Sequence, residues 1–254
     1  MAIYIAGSFV VLAGLWFWYS WRYQVLPQSA IYLLDDIPEP KKNERIIVFS
    51  PHPDDETIAA GGYIAAAAHN GAEVWMVLVT DGNRHGLEQK RYDEFRRSAD
   101  ILGVKRRNLF FLNYADGTLS KQNTTMLESR FSRIVAKIKP DIIIAPHKND
   151  HHADHAIIGK AISNIATKKI VVYYYLVHHA RFPLPRKFDP EFYLLPPIKM
   201  ISFDQKWYRF MIARVNEDIK HEAVLQYKTQ LRFPPLRNLL LGLIRRNELF
   251  VKDE

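Results

Sequence analysis

The 254-residue sequence contains no cysteine. Disulfide bonds and thiolate-ligated metals are therefore excluded, and any transition metal must be held by histidine, aspartate or glutamate. The sequence also has no internal repeat, no low-complexity tract and no helix-turn-helix, zinc-finger or RNA-binding signature. Although the formal net charge is +8, we therefore expect no nucleic-acid partner. The charge favours an anionic small molecule or an acidic membrane surface instead.

Charged side chains are absent from the first 21 residues, MAIYIAGSFVVLAGLWFWYSW. At about 1.5 Å per residue, a helix of this length just spans a hydrocarbon core of roughly 30 Å. A signal peptide, the competing interpretation, would need a basic N-terminal region, and the first basic residue is Arg22. We predict a retained transmembrane anchor over residues 1–23, with the span at 3–21. The basic residues that follow it place the body of this single-pass protein on the cytoplasmic side of the membrane.

Apolar strands alternate with helices after a proline-containing linker at residues 24–44. The apolar runs predict strands at 45–50, 72–82, 108–114, 141–146 and 169–179, and the segments between them predict helices at 56–71, 87–103, 124–139 and 153–167. This alternation is typical of an α/β fold with a mostly parallel sheet. We assign the core to residues 45–180. The C-terminal segment, 181–254, combines a proline-broken stretch, a candidate lid, with an amphipathic helix predicted at 233–250, which can touch a membrane or pack on the domain.

Acidic residues and histidines follow four of the predicted strands, at the edge where open parallel sheets bind their ligands. They are His52, Asp54 and Asp55 after the first strand, Asp81 after the second, Asp116 after the third, and His147, Asp150, His151, His152, Asp154 and His155 after the fourth. Because the carboxyl ends of parallel strands meet at one edge, these side chains predict a single site.

The spacing of these residues suits a metal ion. His52 and Asp55 are three residues apart and can share one ion from a tight turn, and His155 can supply a third ligand. Two histidines and one carboxylate form a ligand set typical of catalytic zinc, with positions left open for water or substrate. Asp54, next to a ligand but pointing elsewhere, is then the candidate general base. His152 lies three residues before His155, so one can bind metal while the other faces the substrate oxygen.

Simpler interpretations exist for each motif alone. The aspartates of "HPDD" can cap a helix, and "TDG", with Asp81, is a common turn. Paired aspartates also bind Mg²⁺, so a metal-dependent phosphohydrolase remains an alternative. The co-occurrence of two such motifs at two strand ends favours a site.

"PHPDDE" at residues 51–56, combined with "HADH" at 152–155, resembles the PIG-L/LmbE family of zinc-dependent de-N-acetylases. The resemblance covers residues 45–180 and includes "TDG", a helix with the pattern "RxxE…LG" from Arg91 to Gly103, and the "YADG" turn. It implies a Rossmann-like layered domain. It also implies zinc or another divalent metal, and hydrolysis of an acetamido group on an amino sugar.

The resemblance also implies roles for individual residues. It assigns metal binding to His52, Asp55 and His155, and general base catalysis to Asp54. His152 would stabilise the tetrahedral oxyanion or protonate the leaving amine, with Asp154 as its orienting partner. Substrate contact is implied for Arg91 and Asp116, and we add Asp81 and Asp150 as candidates. Asp150 stands where some sugar deacetylases have a tyrosine, a role that Tyr174 or His178 can take over.

The sequence therefore predicts a membrane-anchored metal hydrolase acting on N-acetylated amino sugars. Its expected substrate is N-acetylglucosamine carried on a (phospho)lipid. A non-catalytic sugar- or lipid-binding relative is a further alternative, but such a protein would be expected to have lost Asp54 or His152, and both are present.

Overall fold

An eight-stranded sheet forms the centre of the protein. A computed structural model describes residues 2–22, 26–83, 86–202 and 205–252. The strands are β1 (Asp35–Asp36), β2 (Arg45–Ser50), β3 (Glu73–Thr80), β4 (Leu109–Tyr114), β5 (Ile142–Pro146), β6 (Val171–Tyr175), β7 (Trp207–Met211) and β8 (Asn247–Lys252). Their order across the sheet is β1-β7-β8-β6-β5-β2-β3-β4. Only β8 runs antiparallel to its neighbours, β6 and β7. The predicted α/β fold with a mostly parallel sheet is confirmed.

Helices cover both faces of this sheet. In the described residues the helices that follow the N-terminal helix α1 (Ala2–Arg22) are α2 (Asp55–His69), α3 (Glu88–Ile101), α4 (Thr124–Ile138), α5 (Ala153–Ile165), α6 (Arg214–Val224), α7 (Lys228–Leu231) and α8 (Pro234–Gly242). The central strands β2 and β5 are rich in isoleucine and valine, and their apolar side chains are buried. Such runs are expected where helices pack on both faces of parallel strands. The alanine-rich α2 is buried along most of its length, because it lies between β2, β8 and α6.

The N-terminal helix α1 extends from Ala2 to Arg22. Large apolar side chains between Val10 and Tyr19 are exposed on it. Within the described ranges, none of the helices combines the length and the apolar character needed to traverse a lipid bilayer. The prediction of a membrane-spanning helix at residues 3–21 is therefore not supported.

The stretch predicted as a linker packs against the domain along part of its length. Ile31 and Ile37 are buried, and the short strand β1 pairs in parallel with β7. Gln28 and Tyr193 are joined by two hydrogen bonds, since the Gln28 amide nitrogen donates to the Tyr193 carbonyl and the Tyr193 N–H donates to Gln28 Oε1. The predicted boundary at residues 23 and 24 lies outside the described residues.

The C-terminal segment completes the same sheet. The helix predicted at residues 233–250 ends at Gly242, and β8 begins at Asn247. Leu249, Phe250 and Val251 are buried in β8, where they are well suited to a strand paired on both sides. The amphipathic pattern is therefore divided between a helix and a central strand.

Candidate active site

The turn between β2 and α2 brings His52 and Asp55 together. The His52 N–H donates to Asp55 Oδ2 at 3.0 Å, and His52 Nδ1 lies 3.0 Å from the same oxygen. Asp55 is the first residue of α2, where the helix dipole favours a negative charge. Both side chains are buried. The turn thus presents one imidazole and one carboxylate at the carboxyl edge of the sheet.

His155 reaches the same carboxylate from the first turns of α5. Its Nε2 lies 3.1 Å from Asp55 Oδ2, and its Nδ1 lies 3.4 Å from Asp150 Oδ2. Neither ring nitrogen has a hydrogen bond of good geometry, although the side chain is fully buried. Asp55 Oδ2 therefore lies between His52 and His155, and the structure brings the three predicted metal ligands together.

The donor atoms at this edge fit a divalent cation. Ligand atoms lie within 4.8 Å of one another in three sets, which are His52–His152–His155, Asp55–His155–His178 and His52–Asp116–Asp154. Imidazoles combined with carboxylates are the donors that zinc accepts when thiolates are absent. The His155 nitrogens, buried and without a well-formed hydrogen bond, also suit a coordination bond. The residues present therefore fit a zinc-type centre built on His52, Asp55 and His155, with further donors close by.

Carboxylates surround the imidazole rings of His52 and His155, and their negative charge favours a positive charge at this site. Burial opposes protonation of His52, but its contacts with Asp116, Asp154 and Asp55 raise its pKa well above the usual value. Burial likewise opposes protonation of His155, yet Asp55 and Asp150 raise its pKa to about 9. A divalent cation would take the place of these protons, as metal binding requires neutral imidazoles.

Asp54 lies in the same turn, but its environment differs from that of Asp55. Burial and the neighbouring Asp55 raise the pKa of Asp54 well above its usual value, although Arg91, 3.4 Å away, opposes the shift. Burial also acts to raise the pKa of Asp55, but His155 and His52 outweigh it and hold that pKa well below its usual value. Adjacent carboxyl groups with pKa values pushed apart suit different roles. Asp54 is the better proton acceptor near neutral pH, and Asp55 is the better ligand.

Arg91 joins two loops under the site. Its Nη1 donates to the Gly82 carbonyl at 2.7 Å and its Nη2 donates to the Pro53 carbonyl at 2.9 Å. Gly82 has a φ of +61°, and a Cβ there would lie 2.5 Å from Arg91 Nη1, so only glycine fits. Arg91 lines the cavity, and its contact with substrate stays a prediction. Its engagement with backbone carbonyls indicates that it also holds the Asp54 turn in place.

Two further predicted substrate-contacting residues occupy different positions. Asp116 lines the cavity, and its Oδ1 lies 3.2 Å from His52 Nε2. Asp81 does not line the cavity. Its Oδ1 accepts the N–H groups of Asn83 and Asp116 at 2.9 and 3.0 Å, so it braces the loops after β3 and β4.

Asp154 orients a different histidine from the one predicted. Its Oδ2 accepts the Gly117 N–H at 2.8 Å and lies 3.3 Å from His52 Nε2, and its Oδ1 accepts the Leu119 N–H at 3.1 Å. The structure therefore places the Asp154 carboxylate where it can orient His52, whereas the sequence predicted that it orients His152.

His152 caps α5 and remains available to a substrate. Its Nδ1 accepts the Asp154 N–H at 3.3 Å, which leaves Nε2 as the other donor or acceptor of the ring. The ring lies 4.6 Å from that of His52, centroid to centroid, and the residue is half-buried in the cavity wall. Burial and the neighbouring His52 and His155 lower the pKa of His152.

Asp150 is a framework residue behind His155. Its Oδ1 accepts the His152 N–H, its Oδ2 accepts the N–H groups of Val177 and His178, and it does not line the cavity. Although burial opposes ionisation, His155 and these contacts lower the pKa of Asp150 to about 2. The side chain therefore fixes the loop that leads through His152 into α5, whereas the sequence predicted a contact with substrate.

His178 and Tyr174 were the two candidates for the role of the tyrosine found in some sugar deacetylases, and the structure places them in different cavities. His178 lines the catalytic cavity, with its ring 4.8 Å from that of His155. Burial and His155 lower its pKa to about 4. Tyr174 instead lines a separate cavity of about 920 Å³, beside His147. Of the two alternatives, only His178 is placed to face a substrate.

The cavity above the donor cluster is small and has one apolar side. Its volume is about 130 Å³, below the roughly 300–1,000 Å³ of typical ligand pockets. Opposite the polar donors lies a surface that we call the C-terminal wall, formed by Gln230, Leu236, Leu239 and Leu240. Sequence reasoning missed these residues. Their signal was the leucine stripe of α8, which equally suits a membrane-facing surface.

Thr229, which directly precedes the C-terminal wall in sequence, is hydrogen-bonded to helix α3. The Thr229 N–H donates to Glu94 Oε1 at 2.9 Å, and the Thr229 hydroxyl donates to Glu94 Oε2 at 2.6 Å. Glu94 is a buried residue of α3. These bonds place α7 next to α3, so the wall begins from a fixed point.

Comparison with known proteins agrees with this geometry. Residues 47–166 match the family model described as PIG-L: GlcNAc-PI de-N-acetylase. This match is to the family that the motifs of the sequence resemble.

Individual relatives extend the comparison. The diacetylchitobiose deacetylase of Thermococcus kodakarensis is 30% identical over 128 residues, which cover 46% of this chain and 46% of the relative. A probable N-acetyl-alpha-D-glucosaminyl L-malate deacetylase 2 of Bacillus anthracis is 27% identical over 151 residues, covering 52% of this chain and 66% of the relative. The chain thus spans about half the length of the first relative and about two thirds of the second.

A solved structure shares the fold over most of the chain. The N,N'-diacetylchitobiose deacetylase of Pyrococcus horikoshii, complexed with an inhibitor, superposes with a TM-score of 0.59 at 21% identity. The match covers 82% of this chain and 83% of that one. At this identity the likeness shows the fold alone.

Proposed function

We propose that the protein is a metal-dependent N-deacetylase that releases acetate from an N-acetylated amino sugar. The observation that carries the proposal is the meeting of His52, Asp55 and His155 on one carboxylate oxygen, with Asp54 held separately in the same cavity. The match of residues 47–166 to the PIG-L family model, and the deacetylase names of the relatives, support it.

The side chains divide the reaction between them. His52, Asp55 and His155 would hold a divalent metal, expected to be zinc, which when bound would polarise the amide carbonyl and lower the pKa of water towards about 7. Asp54 accepts a proton from the water that attacks the carbonyl carbon. His152 hydrogen-bonds the oxygen on which negative charge develops. When the C–N bond breaks, Asp54 passes the proton it accepted to the leaving amine. The acetic acid formed ionises, and acetate and the free amino sugar leave.

Acetate release decides between this proposal and its alternatives. The purified protein should release acetate from N-acetylglucosamine compounds in proportion to its bound zinc, and a chelator should abolish the reaction. Release of phosphate from phosphorylated sugars, with Mg²⁺ bound and no acetate produced, would identify a phosphohydrolase instead. Binding of these compounds without turnover would point to a non-catalytic relative.

We further propose that α1 holds the protein at a membrane, with the catalytic domain on the cytoplasmic side, and that the preferred substrate is N-acetylglucosamine on a phospholipid. The exposed apolar side chains of α1 and the net charge of +8 support the proposal, because an apolar helix and basic residues together favour an anionic lipid surface.

Two measurements test this finer proposal. Alkaline carbonate or high salt should leave the protein in the membrane fraction, and its complete release without detergent would refute the anchor. N-acetylglucosaminyl phospholipid should show a lower KM than free N-acetylglucosamine, with a difference that shrinks at high salt. Equal efficiency on both compounds in one detergent would refute the lipid preference while leaving the deacetylase intact.

A further inference from the structure

Glu56 is a buried carboxylate next to the metal-ligand turn that the reaction does not use. It is fully buried on the first turn of α2. Its Oε2 accepts the Ser50 hydroxyl at 2.6 Å and the Asp54 N–H at 3.3 Å. Its Oε1 accepts the Thr57 hydroxyl at 2.7 Å. The carboxylate therefore bonds to the end of β2, to the turn and to the helix at once.

Tyr227 completes this arrangement from the C-terminal segment. It is fully buried, and its hydroxyl donates to Glu56 Oε1 and lies 3.1 Å from Thr57 Oγ1. Tyr227 directly precedes α7, which carries Gln230 of the C-terminal wall. One hydrogen bond thus joins the turn that bears Asp54 to the segment that closes the cavity.

Asp54 has a backbone conformation that needs such support. Its φ is 141° and its ψ is −32°, outside the regions that residues with a side chain ordinarily adopt. Conformations of this kind are strained and persist only where the surroundings enforce them. The Asp54 carbonyl accepts the N–H groups of Thr57 and Ile58, and its own N–H donates to Glu56. The Glu56 carboxylate therefore holds the backbone of Asp54 through the Asp54 N–H.

We propose that Glu56 and Tyr227 are positioning residues that hold Asp54 in place for proton transfer. The inference rests on the proposed function, since it concerns the base of that reaction. Neither residue lines the cavity, so both act through Asp54. Loss of the Tyr227 hydroxyl leaves Glu56 Oε1 with Thr57 as its remaining bonded partner among the described residues, which loosens the turn without removing a metal ligand.

The test is Tyr227→Phe, with Tyr92→Phe as its matched control. Tyr92 is also buried, and its hydroxyl donates to Asn113 Oδ1 at 2.8 Å, away from Asp54. Tyr227→Phe should lower kcat about tenfold, because small misplacements of a reacting group are costly. KM should stay within about twofold, since the change affects a step after binding. Metal content should be unchanged, and Tyr92→Phe should keep the wild-type kcat.

The double variant Asp54→Asn/Tyr227→Phe shows whether Tyr227 acts through Asp54. Residues that act as a unit are not additive, so the double variant should have the kcat of Asp54→Asn within about twofold. A further full tenfold loss would overturn the proposal, as would a Tyr227→Phe enzyme no slower than the Tyr92→Phe control. If Asp54→Asn is impaired while Tyr227→Phe is not, the inference fails and the deacetylase stands. A wild-type protein that releases no acetate would instead remove the proposed function.

Discussion

Two groups of side chains line the cavity of the candidate active site, one polar and one mainly apolar. The donor side consists of carboxylates and imidazoles on the turns after β2 and β5, and its carboxylates accept backbone N–H groups, as Asp150 and Asp154 each do. The C-terminal wall consists mainly of leucines on α8. A polar side chain needs a partner for each buried atom, whereas a leucine needs only a matching surface. Specific hydrogen bonds therefore hold the side chains of the donor side in place. The wall is held by packing and by the hydrogen bonds of Thr229.

This contrast predicts that substitutions on the donor side abolish the chemistry, whereas substitutions in the wall mainly affect stability. The largest effect is expected for His155→Ala, which removes one of the three proposed metal ligands. Metal content should fall sharply and kcat by more than about 100-fold, because even outer-shell changes cost 10–100-fold. Elemental analysis checks the metal, and His69→Ala, at an exposed histidine, is the control. Full metal occupancy in the His155 variant would remove this residue from the ligand set.

The next largest effect is expected for Asp54→Asn. The amide cannot accept the proton of water, so kcat should fall about 10²–10⁴-fold. The bound metal should remain at the wild-type level, because Asp55 and both histidines are untouched. Turnover close to wild type would exclude Asp54 as the base.

On the wall, Leu240→Ala should mainly reduce stability. Leu240 is 1% exposed, and removal of such a side chain costs about 2–5 kcal/mol of unfolding free energy. Chemical denaturation measures the loss, and Leu225→Ala, at a leucine 44% exposed, should lose much less. Metal content should not change. Loss of bound metal in the Leu240 variant would mean that the wall also determines the geometry of the donor side, so that the two sides are not independent.

The smallest effect is expected for Asp81→Asn. An amide oxygen can still accept the N–H groups of Asn83 and Asp116, with bonds about half as strong as those to a carboxylate. KM should therefore stay within about threefold of the wild-type value. A large rise in KM on Asp81→Asn alone would show that this side chain contacts substrate, as the sequence suggested.

The donor side could be predicted from sequence because its signals are local. His52 and Asp55 are three residues apart in a turn after an apolar strand, and parallel strands necessarily bring the next such turn, with His155, to the same edge. The partner of each ring was not predictable in this way. Asp154 faces His52 because the Gly117 and Leu119 N–H groups hold it there, and these belong to a loop distant in sequence.

The last strand was mispredicted, and the surface covered by α8 was left open, because their patterns are ambiguous. Leucines spaced three and four apart suit a membrane surface, a domain core and a cavity wall equally well. Glu248 interrupts the apolar pattern of β8, so residues 247–252 were not predicted as a strand. A charged residue is not expected in the middle of a sheet. The structure resolves this conflict with Lys220, whose Nζ lies 2.7 Å from Glu248 Oε1 while both side chains are fully buried. Only the tertiary fold supplies that partner.

The position of β8 has a consequence for biosynthesis. Within the described residues, β7 and β1 join the remainder of the sheet only through β8, which is inserted between β6 and β7. A ribosome releases the N-terminal part of a chain first, at about 5–20 residues per second, so β1 to β6 can emerge and pair before residues 247–252 exist. During that interval the edges of β6 and β7 are open to incorrect partners. Until residues 247–252 have left the ribosome, β1 and β7 cannot join the remainder of the sheet, and the need of the nascent chain for chaperones should be greatest in this interval.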